Sequence, residues 1–287
     1  MTTVMLGALA VLLAGPVPAG MARWPRLRRT PRAAMVLWQS VALAAVLAAL
    51  GAGLSLVTDQ AWRAEVGPAR AVVAGAALAL TLFVAGRLLL SAHRVGTSLR
   101  RLRRRHRAQL DLLARHDAAV EVLEHDVPVA YCVPGLRDSR VVVSAGMLGT
   151  LSEPEIEAVL AHERAHLRAR HDLVLEAFSA LHRAFPRWVS SEAALSEVRL
   201  LIEVLADRAA MAACDPGPLA RALVALAAGR APEAALAVGA CGLVERVDLL
   251  ADRQRHRVQA AVLLALSGAV LVLPTAFVVL PWLDSLA

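Results

Sequence analysis

Residues 152–167 read SEPEIEAVLAHERAHL. Ser152 and, three residues later, Glu155 form the pattern of a capping box, in which the two side chains satisfy backbone N–H groups at the start of a helix. Pro154 suits a first helical turn, because its nitrogen would have no intrahelical partner there. We therefore expect a helix to begin at this point and to carry the residues that follow.

This helix contains an HExxH pattern at residues 162–166. Residues four apart lie on one helical face, so His162 and His166 can both direct an imidazole nitrogen to a single cation. Glu163 sits beside such a cation instead of ligating it, and there it can accept a proton from water. The pattern arises by chance in about 1% of chains of this length and composition, so it is a strong signal for a metal site. The alternative is a surface helix on which both histidines are solvated.

A catalytic zinc ion takes three protein ligands and keeps one position for water. Glu203 is a lone acid in a strongly apolar helical stretch, and a buried carboxylate needs a cation. Asp207 lies four residues later on the same face, where it is expected to hydrogen-bond the outer nitrogen of a histidine ligand. The alternative for both acids is an ordinary salt bridge with Arg199 or Arg208.

The sequence does not assign one definite role to each of the other polar residues near these motifs. Asp172 is a second candidate to hold a histidine ligand in place. His171 lies five residues past His166, about 140° around the same helix, and is expected to stay apart from the site. The sequence does not single out a group that stabilises the oxyanion of a hydrolytic reaction, for which the candidates are Tyr131, His125 and His182.

Apolar residues make up 58% of the 287 residues, against roughly 45–50% in a typical soluble domain. A purely soluble enzyme is therefore not expected. A bilayer is crossed by about 20 apolar residues in a helix, and four stretches are that long. They are residues 1–22, 33–58, 71–92 and 258–283. Arg87 lies near the end of the third stretch and is expected to snorkel toward the interface. The alternative for the first stretch is a signal peptide, although no charged residues precede its apolar run.

The formal net charge of +7 is concentrated in one segment. Residues 93–116 contain eight Arg against one acid, whereas residues 117–252 contain 12 Arg and 20 acids. We expect a basic helix over 93–116 that continues the third stretch along the membrane surface. Lipid contact is favoured over nucleic-acid binding, since no aromatic residues interleave the arginines. Arg-rich flanks stay in the cytoplasm, so the termini are predicted outside the cell membrane and residues 117–257 inside.

Two β-branched runs precede the HExxH helix. Val127–Val133 and Ser139–Ser144 are separated by Pro134 and Gly135, which predicts a hairpin or two neighbouring strands. The three cysteines are widely spaced, which argues against a disulfide framework and against a Cys-ligated zinc site.

The HExxH pattern followed by Glu203-xxx-Asp207 resembles the gluzincin-type membrane metallopeptidases, over about residues 128–213. Three membrane spans, a metallopeptidase domain and a fourth span make the chain similar to the BlaR/MecR-type antibiotic-sensing transducers. The HtpX-type quality-control proteases instead place two spans between HExxH and the glutamate ligand. Few residues follow the fourth stretch, so we expect no penicillin-binding sensor domain and no antibiotic-sensing role.

The resemblance implies a mainly α, integral membrane fold, with four transmembrane helices and an inserted α+β zincin-like metallopeptidase domain between the third and the fourth. It implies one Zn²⁺ per chain, held by His162, His166 and Glu203, with Glu163 as the catalytic base. The expected partners are the lipid bilayer and a protein or peptide substrate, which in the transducers is a DNA-binding repressor. Two alternatives remain, an HtpX-like quality-control protease and a non-proteolytic membrane sensor or scaffold.

Overall fold

The computed structural model describes residues 2–61, 67–117, 120–135, 138–186, 189, 191–229, 233–252, 254 and 256–284. This part of the chain is mostly helical. The helices are α1 (Thr2–Ala14), α2 (Pro16–Ala22), α3 (Pro31–Ala61), α4 (Pro68–Leu113), α5 (Ala145–Thr150), α6 (Glu153–Ala169), α7 (His171–Ala184), α8 (Ser191–Ala210), α9 (Pro216–Gly229), α10 (Glu233–Ala251) and α11 (Arg257–Asp284), with a short 3-10 helix at Pro25–Arg29. The strands are β1 (Ala114–Asp117), β2 (Val120–Leu123), β3 (Ala130–Val133) and β4 (Arg140–Ser144).

Four helical segments are long and apolar enough to cross a membrane. They are Thr2–Ala22, Pro31–Thr58, Pro68–Leu113 and Arg257–Phe277, and they coincide with the four stretches predicted from hydropathy. The fold is therefore compatible with a membrane protein, and among the described residues no further candidate span lies between α4 and α11.

The chain divides into two compact units, of which the first contains three of the candidate spans and the remaining one, Pro68–Leu113, as far as Arg94. It comprises Met1–Arg94, Ala177–Val198 and His256–Ala287. Within it, α3 packs against α1 and α11. The side chain of Trp38 on α3 is fully buried. The centre of this unit is thus formed by apolar helices that contact one another.

Residues 177–198 belong to this first unit because they bond to the third candidate span. Arg87 Nε donates a hydrogen bond to the carbonyl of Ala184, and the Arg87 guanidinium lies over the ring of Phe185. The Ser91 hydroxyl donates to the carbonyl of Ala180. The charged group of Arg87 is therefore held by another segment of the protein.

The second unit comprises Val95–Glu176 and Arg199–Arg255 and contains the sheet. The strand order is β1-β2-β4-β3, with β2 and β4 parallel and the other two pairs antiparallel. β3 and β4 form the hairpin predicted from their sequences, although β3 begins at Ala130 and β4 at Arg140. The basic helix ends earlier than predicted, at Leu113, because residues 114–117 pair with β2 as an edge strand.

Both faces of the sheet are covered by helices. On one face, Val133 and Val142 pack against Leu110 near the end of α4. On the other face, Val143 packs in a cluster with Val159 of α6. Alternate residues of a strand point to opposite faces, which is why neighbouring valines of β4 serve different layers. The sheet therefore fixes the position of the HExxH helix.

Helix α6 begins and ends at defined signals. The Ser152–Glu155 capping box forms as predicted, with the Ser152 backbone N–H donating to Glu155 Oε2 at 3.0 Å. The helix ends at Arg170, whose backbone is left-handed (φ 51°, ψ 43°). A left-handed residue stops an α-helix, so the next helix, α7, leaves in a new direction.

Candidate metal centre

Two helices of the second unit bring three candidate ligands together. His162 and His166 lie one turn apart on α6, and Glu203 comes from α8. The two Nε2 atoms are 3.1 Å apart. His162 Nε2 is 3.5 Å from Glu203 Oε2, and His166 Nε2 is 3.7 Å from Glu203 Oε1. One ligand atom from each residue lies within 4.8 Å of the other two, so the three form a possible metal-binding group.

The spacing of these atoms suits a small tetrahedral cation. Metal–ligand distances of about 2.0–2.1 Å in a tetrahedron place neighbouring ligand atoms about 3.4 Å apart. The distance between the two Nε2 atoms, 3.1 Å, is shorter than this value, and the distances from them to the two oxygens of Glu203, 3.5 and 3.7 Å, are longer. Two imidazoles with one carboxylate are a donor set that zinc accepts readily. The donor set therefore fits a bound metal ion, and one ligand atom from each residue lies within 4.8 Å of the others.

Glu163 follows His162 on α6, is partly buried and is not one of the three candidate ligands. Its carboxylate lies next to the thiol of Cys132 on β3. Burial and the neighbouring Glu163 carboxylate raise the pKa of the Cys132 thiol to about 12. Glu163 therefore lies against the edge strand β3, and Cys132 is a neighbour that the sequence did not indicate.

Asp207 lies behind His162. Its carboxylate is almost completely buried, and Oδ1 is 2.9 Å from His162 Nδ1, the nitrogen opposite the one that faces Glu203. Four residues separate Glu203 from Asp207, so a single face of α8 supplies one candidate ligand and one carboxylate behind another ligand.

Residues 95–234 match peptidase family M48. This is a family of zincin-type metallopeptidases, and the match covers just under half of the chain. It includes the HExxH helix, Glu203 and Asp207. The similarity therefore indicates a metallopeptidase, a hydrolase that acts on peptide bonds. No curated protein and no solved structure matches the chain significantly.

The M48-matched region ends before one residue that contacts the site. Arg246 on α10 binds Asp207 through two hydrogen bonds, from Nε at 2.8 Å and from the terminal nitrogen Nη2 at 2.7 Å. Its other terminal nitrogen, Nη1, is 3.0 Å from Glu203 Oε2. An arginine about 40 residues further along the chain therefore pairs with both acids, a partner that the sequence did not indicate.

The M48-matched region also holds a histidine that was expected to stay apart from the site. Because α6 ends at Arg170, His171 is not on the same helix as His166, and the prediction based on a continuous helix is wrong. His171 Nδ1 lies 3.1 Å from His166 Nδ1. The two rings meet edge to face, with their centroids 4.9 Å apart.

The remaining candidates have other partners. Asp172 pairs with Arg103 at 3.3 Å and with Arg170 at 3.2 Å, so its described contacts are with arginines and not with a histidine ligand. Among the three residues considered for the oxyanion, Tyr131 bonds to His106, His125 accepts from the Val127 N–H, and His182 lies in the first unit, 3.0 Å from the Ser191 hydroxyl.

Burial and neighbouring charges shift the pKa values of the candidate ligands in opposite directions. Burial disfavours the charged form of His162, but the carboxylates of Asp207 and Glu203 raise its pKa to about 9. Burial lowers the pKa of His166 to about 4. Burial raises the pKa of Glu203, but His162 and Arg246 outweigh this effect and lower it to about 2. At neutral pH the metal-free group therefore holds one imidazolium, one neutral imidazole and one carboxylate.

Proposed function

We propose that this protein is a membrane-bound, zinc-dependent endopeptidase. The observation that carries the proposal is the convergence of His162, His166 and Glu203 at distances suited to one tetrahedral cation, within a region similar to a metallopeptidase family. These three residues would hold the zinc ion, and one position would remain for water. When bound, zinc supplies Lewis-acid chemistry that polarises the scissile carbonyl and brings the pKa of water toward about 7.

The protein's own residues would divide the remaining work. Glu163, beside the ligands, takes a proton from the attacking water and gives it to the leaving amine as general base and then general acid. Asp207 fixes the orientation and tautomer of His162 through the 2.9 Å contact with Nδ1. Asp172, the less direct candidate, would act on the site only through the arginines that it binds.

The substrate would bind as an extended strand. β3 lies at the edge of the sheet, packs against α6 and carries Cys132 next to Glu163. An edge strand offers unpaired backbone groups to an added strand, which gives main-chain recognition with little sequence preference. A peptide paired with β3 would therefore run past the proposed base.

The cellular role rests on the order of the candidate spans. Three precede the metal centre and one follows it, as in the BlaR/MecR-type arrangement. Together with the Arg-rich flanks, this order supports a multi-pass protein of the cytoplasmic membrane, with both termini outside and the peptidase on the cytoplasmic face. We infer a regulatory protease that acts on a protein substrate such as a transcriptional repressor.

Substitution of the base tests the activity. Membranes that contain the wild-type chain should cleave a casein-like substrate, and cleavage should be lost in Glu163→Gln. The matched control is Glu157→Gln, on the same helix but exposed to solvent, which should retain the wild-type rate. Equal cleavage by wild type and Glu163→Gln would rule out the protease function and leave a non-proteolytic sensor or scaffold.

The orientation is tested separately. A topology reporter inserted after Ala213, in the exposed turn between α8 and α9, should report the cytoplasm. A signal from the external side would reverse the proposed orientation without affecting the chemistry.

A further inference from the structure

His171 owes its position to the end of α6. The left-handed Arg170 stops that helix, and His171 begins α7 beside the last turn of α6. Asp172, the next residue, pairs with Arg103 of α4 at 3.3 Å and with Arg170 at 3.2 Å. The first residues of α7 are therefore held by two ion pairs, and the backbone of His171 is held with them.

The imidazole of His171 is directed at one nitrogen of His166. Their Nδ1 atoms are 3.1 Å apart, which is a hydrogen-bond distance for two ring nitrogens. His171 is 7% exposed, so little water competes for this contact. The other nitrogen of His166, Nε2, faces His162 and Glu203.

This arrangement decides which nitrogen of His166 carries the proton. A neutral imidazole has one N–H group and one lone pair. If the lone pair of Nε2 is to bind a cation, the hydrogen must be on Nδ1, and Nδ1 then needs an acceptor. Among the residues that the structure describes, Nδ1 of His171 is the atom that lies within hydrogen-bond distance of His166 Nδ1.

We propose that His171 is a positioning residue, which accepts a hydrogen bond from His166 Nδ1–H and so keeps the lone pair of His166 Nε2 directed at the metal. His171 does not contribute a ligand atom to the group formed by His162, His166 and Glu203. This role rests on the proposed zinc site. His171 fixes the tautomer of His166 there, as Asp207 fixes the tautomer of His162. The two histidine ligands are thus held by different chemistry, one by a carboxylate and one by a neutral ring.

The test is the zinc affinity of the full-length chain in detergent, measured by competition with a chromophoric chelator. His171→Leu removes the acceptor and should weaken zinc binding about 10- to 100-fold. His171→Asn places an amide oxygen close to the position of Nδ1 and should restore most of the affinity. His171→Gln carries the same amide one carbon further out and should not. His116→Leu, at an exposed histidine of β1, is the matched control and should bind as the wild type does.

A second readout separates positioning from stability. The visible absorption spectrum of the cobalt(II)-substituted protein reports the ligand geometry, and it should change in His171→Leu and return toward wild type in His171→Asn. If His171→Leu does not fold, the zinc affinities of His171→Asn and His171→Gln test the positioning role. Both side chains fill the site, and only that of His171→Asn places its oxygen near the position of Nδ1.

Two results have different meanings. Tight zinc binding that is the same in wild type and in all three His171 variants would overturn the positioning role alone. A wild-type chain that binds no zinc would overturn the proposed function, and the role of His171 with it.

Discussion

Nδ1 of His162 lies 2.9 Å from Oδ1 of Asp207, on the side of the ring opposite Glu203. When His162 is neutral, a carboxylate in this position would favour the hydrogen on Nδ1 and leave the lone pair of Nε2 facing the candidate metal position. Asp207 is 1% exposed, so its charge acts in surroundings with little screening. The contact joins α6 to α8 at the candidate metal centre.

Removal of this carboxylate should weaken metal binding. In Asp207→Ala, His162 loses the partner that fixes its tautomer, and the zinc affinity should fall about 10- to 100-fold. The measurement is chelator competition on the purified chain. Asp215→Ala, an exposed acid just after α8, is the control and should leave the affinity unchanged. Equal affinities in the two variants would show that Asp207 does not support His162.

Arg246 should be important for folding as well as for the site. It pairs with buried Asp207 and with Glu203, and breaking a buried ion pair typically costs about 3–5 kcal/mol. Arg246→Gln should lower the free energy of unfolding by about that amount in denaturant titrations. Arg221→Gln breaks an exposed pair with Glu155 and should cost less than about 1 kcal/mol. Similar losses in both variants would contradict the view that Arg246 belongs to the site.

Zinc affinity should depend on pH through His162. Its pKa of about 9 means that a proton must leave before a metal binds, whereas His166, with a pKa of about 4, is already neutral. Between pH 7 and 8.5 the apparent affinity should therefore rise about tenfold per pH unit and fall as the pH is lowered. Asp207→Asn removes the charge that raises this pKa, so its slope should be shallower. Identical slopes in wild type and Asp207→Asn would contradict the assignment.

The sequence predicted the parts of the site that depend on local spacing. His162 and His166 share a face because they are one helical turn apart, and the capping box fixed where that helix begins. Glu203 and Asp207 were recognisable because two acids at helical spacing in an apolar stretch need charged or polar partners. All four lie close together, as the pattern indicates.

Some residues lie at positions that the sequence did not predict, because those positions depend on features that residue spacing does not show. His171 reaches the site only because Arg170 adopts a left-handed conformation, which is uncommon for a residue other than glycine and was not expected from the sequence. Arg246 lies far along the chain, in a helix where one arginine among apolar residues has many possible partners. Residues 114–116 were predicted as the end of the basic helix, and only pairing with β2 makes residues 114–117 a strand.

Metal analysis of the purified chain tests the central claim most directly. The wild-type protein should contain one zinc ion per chain, and the content should fall close to zero in His162→Ala and in His166→Ala, while His116→Ala retains the metal. Stoichiometric zinc in the wild type that survives both substitutions, or a folded wild type that binds no zinc, would contradict the account.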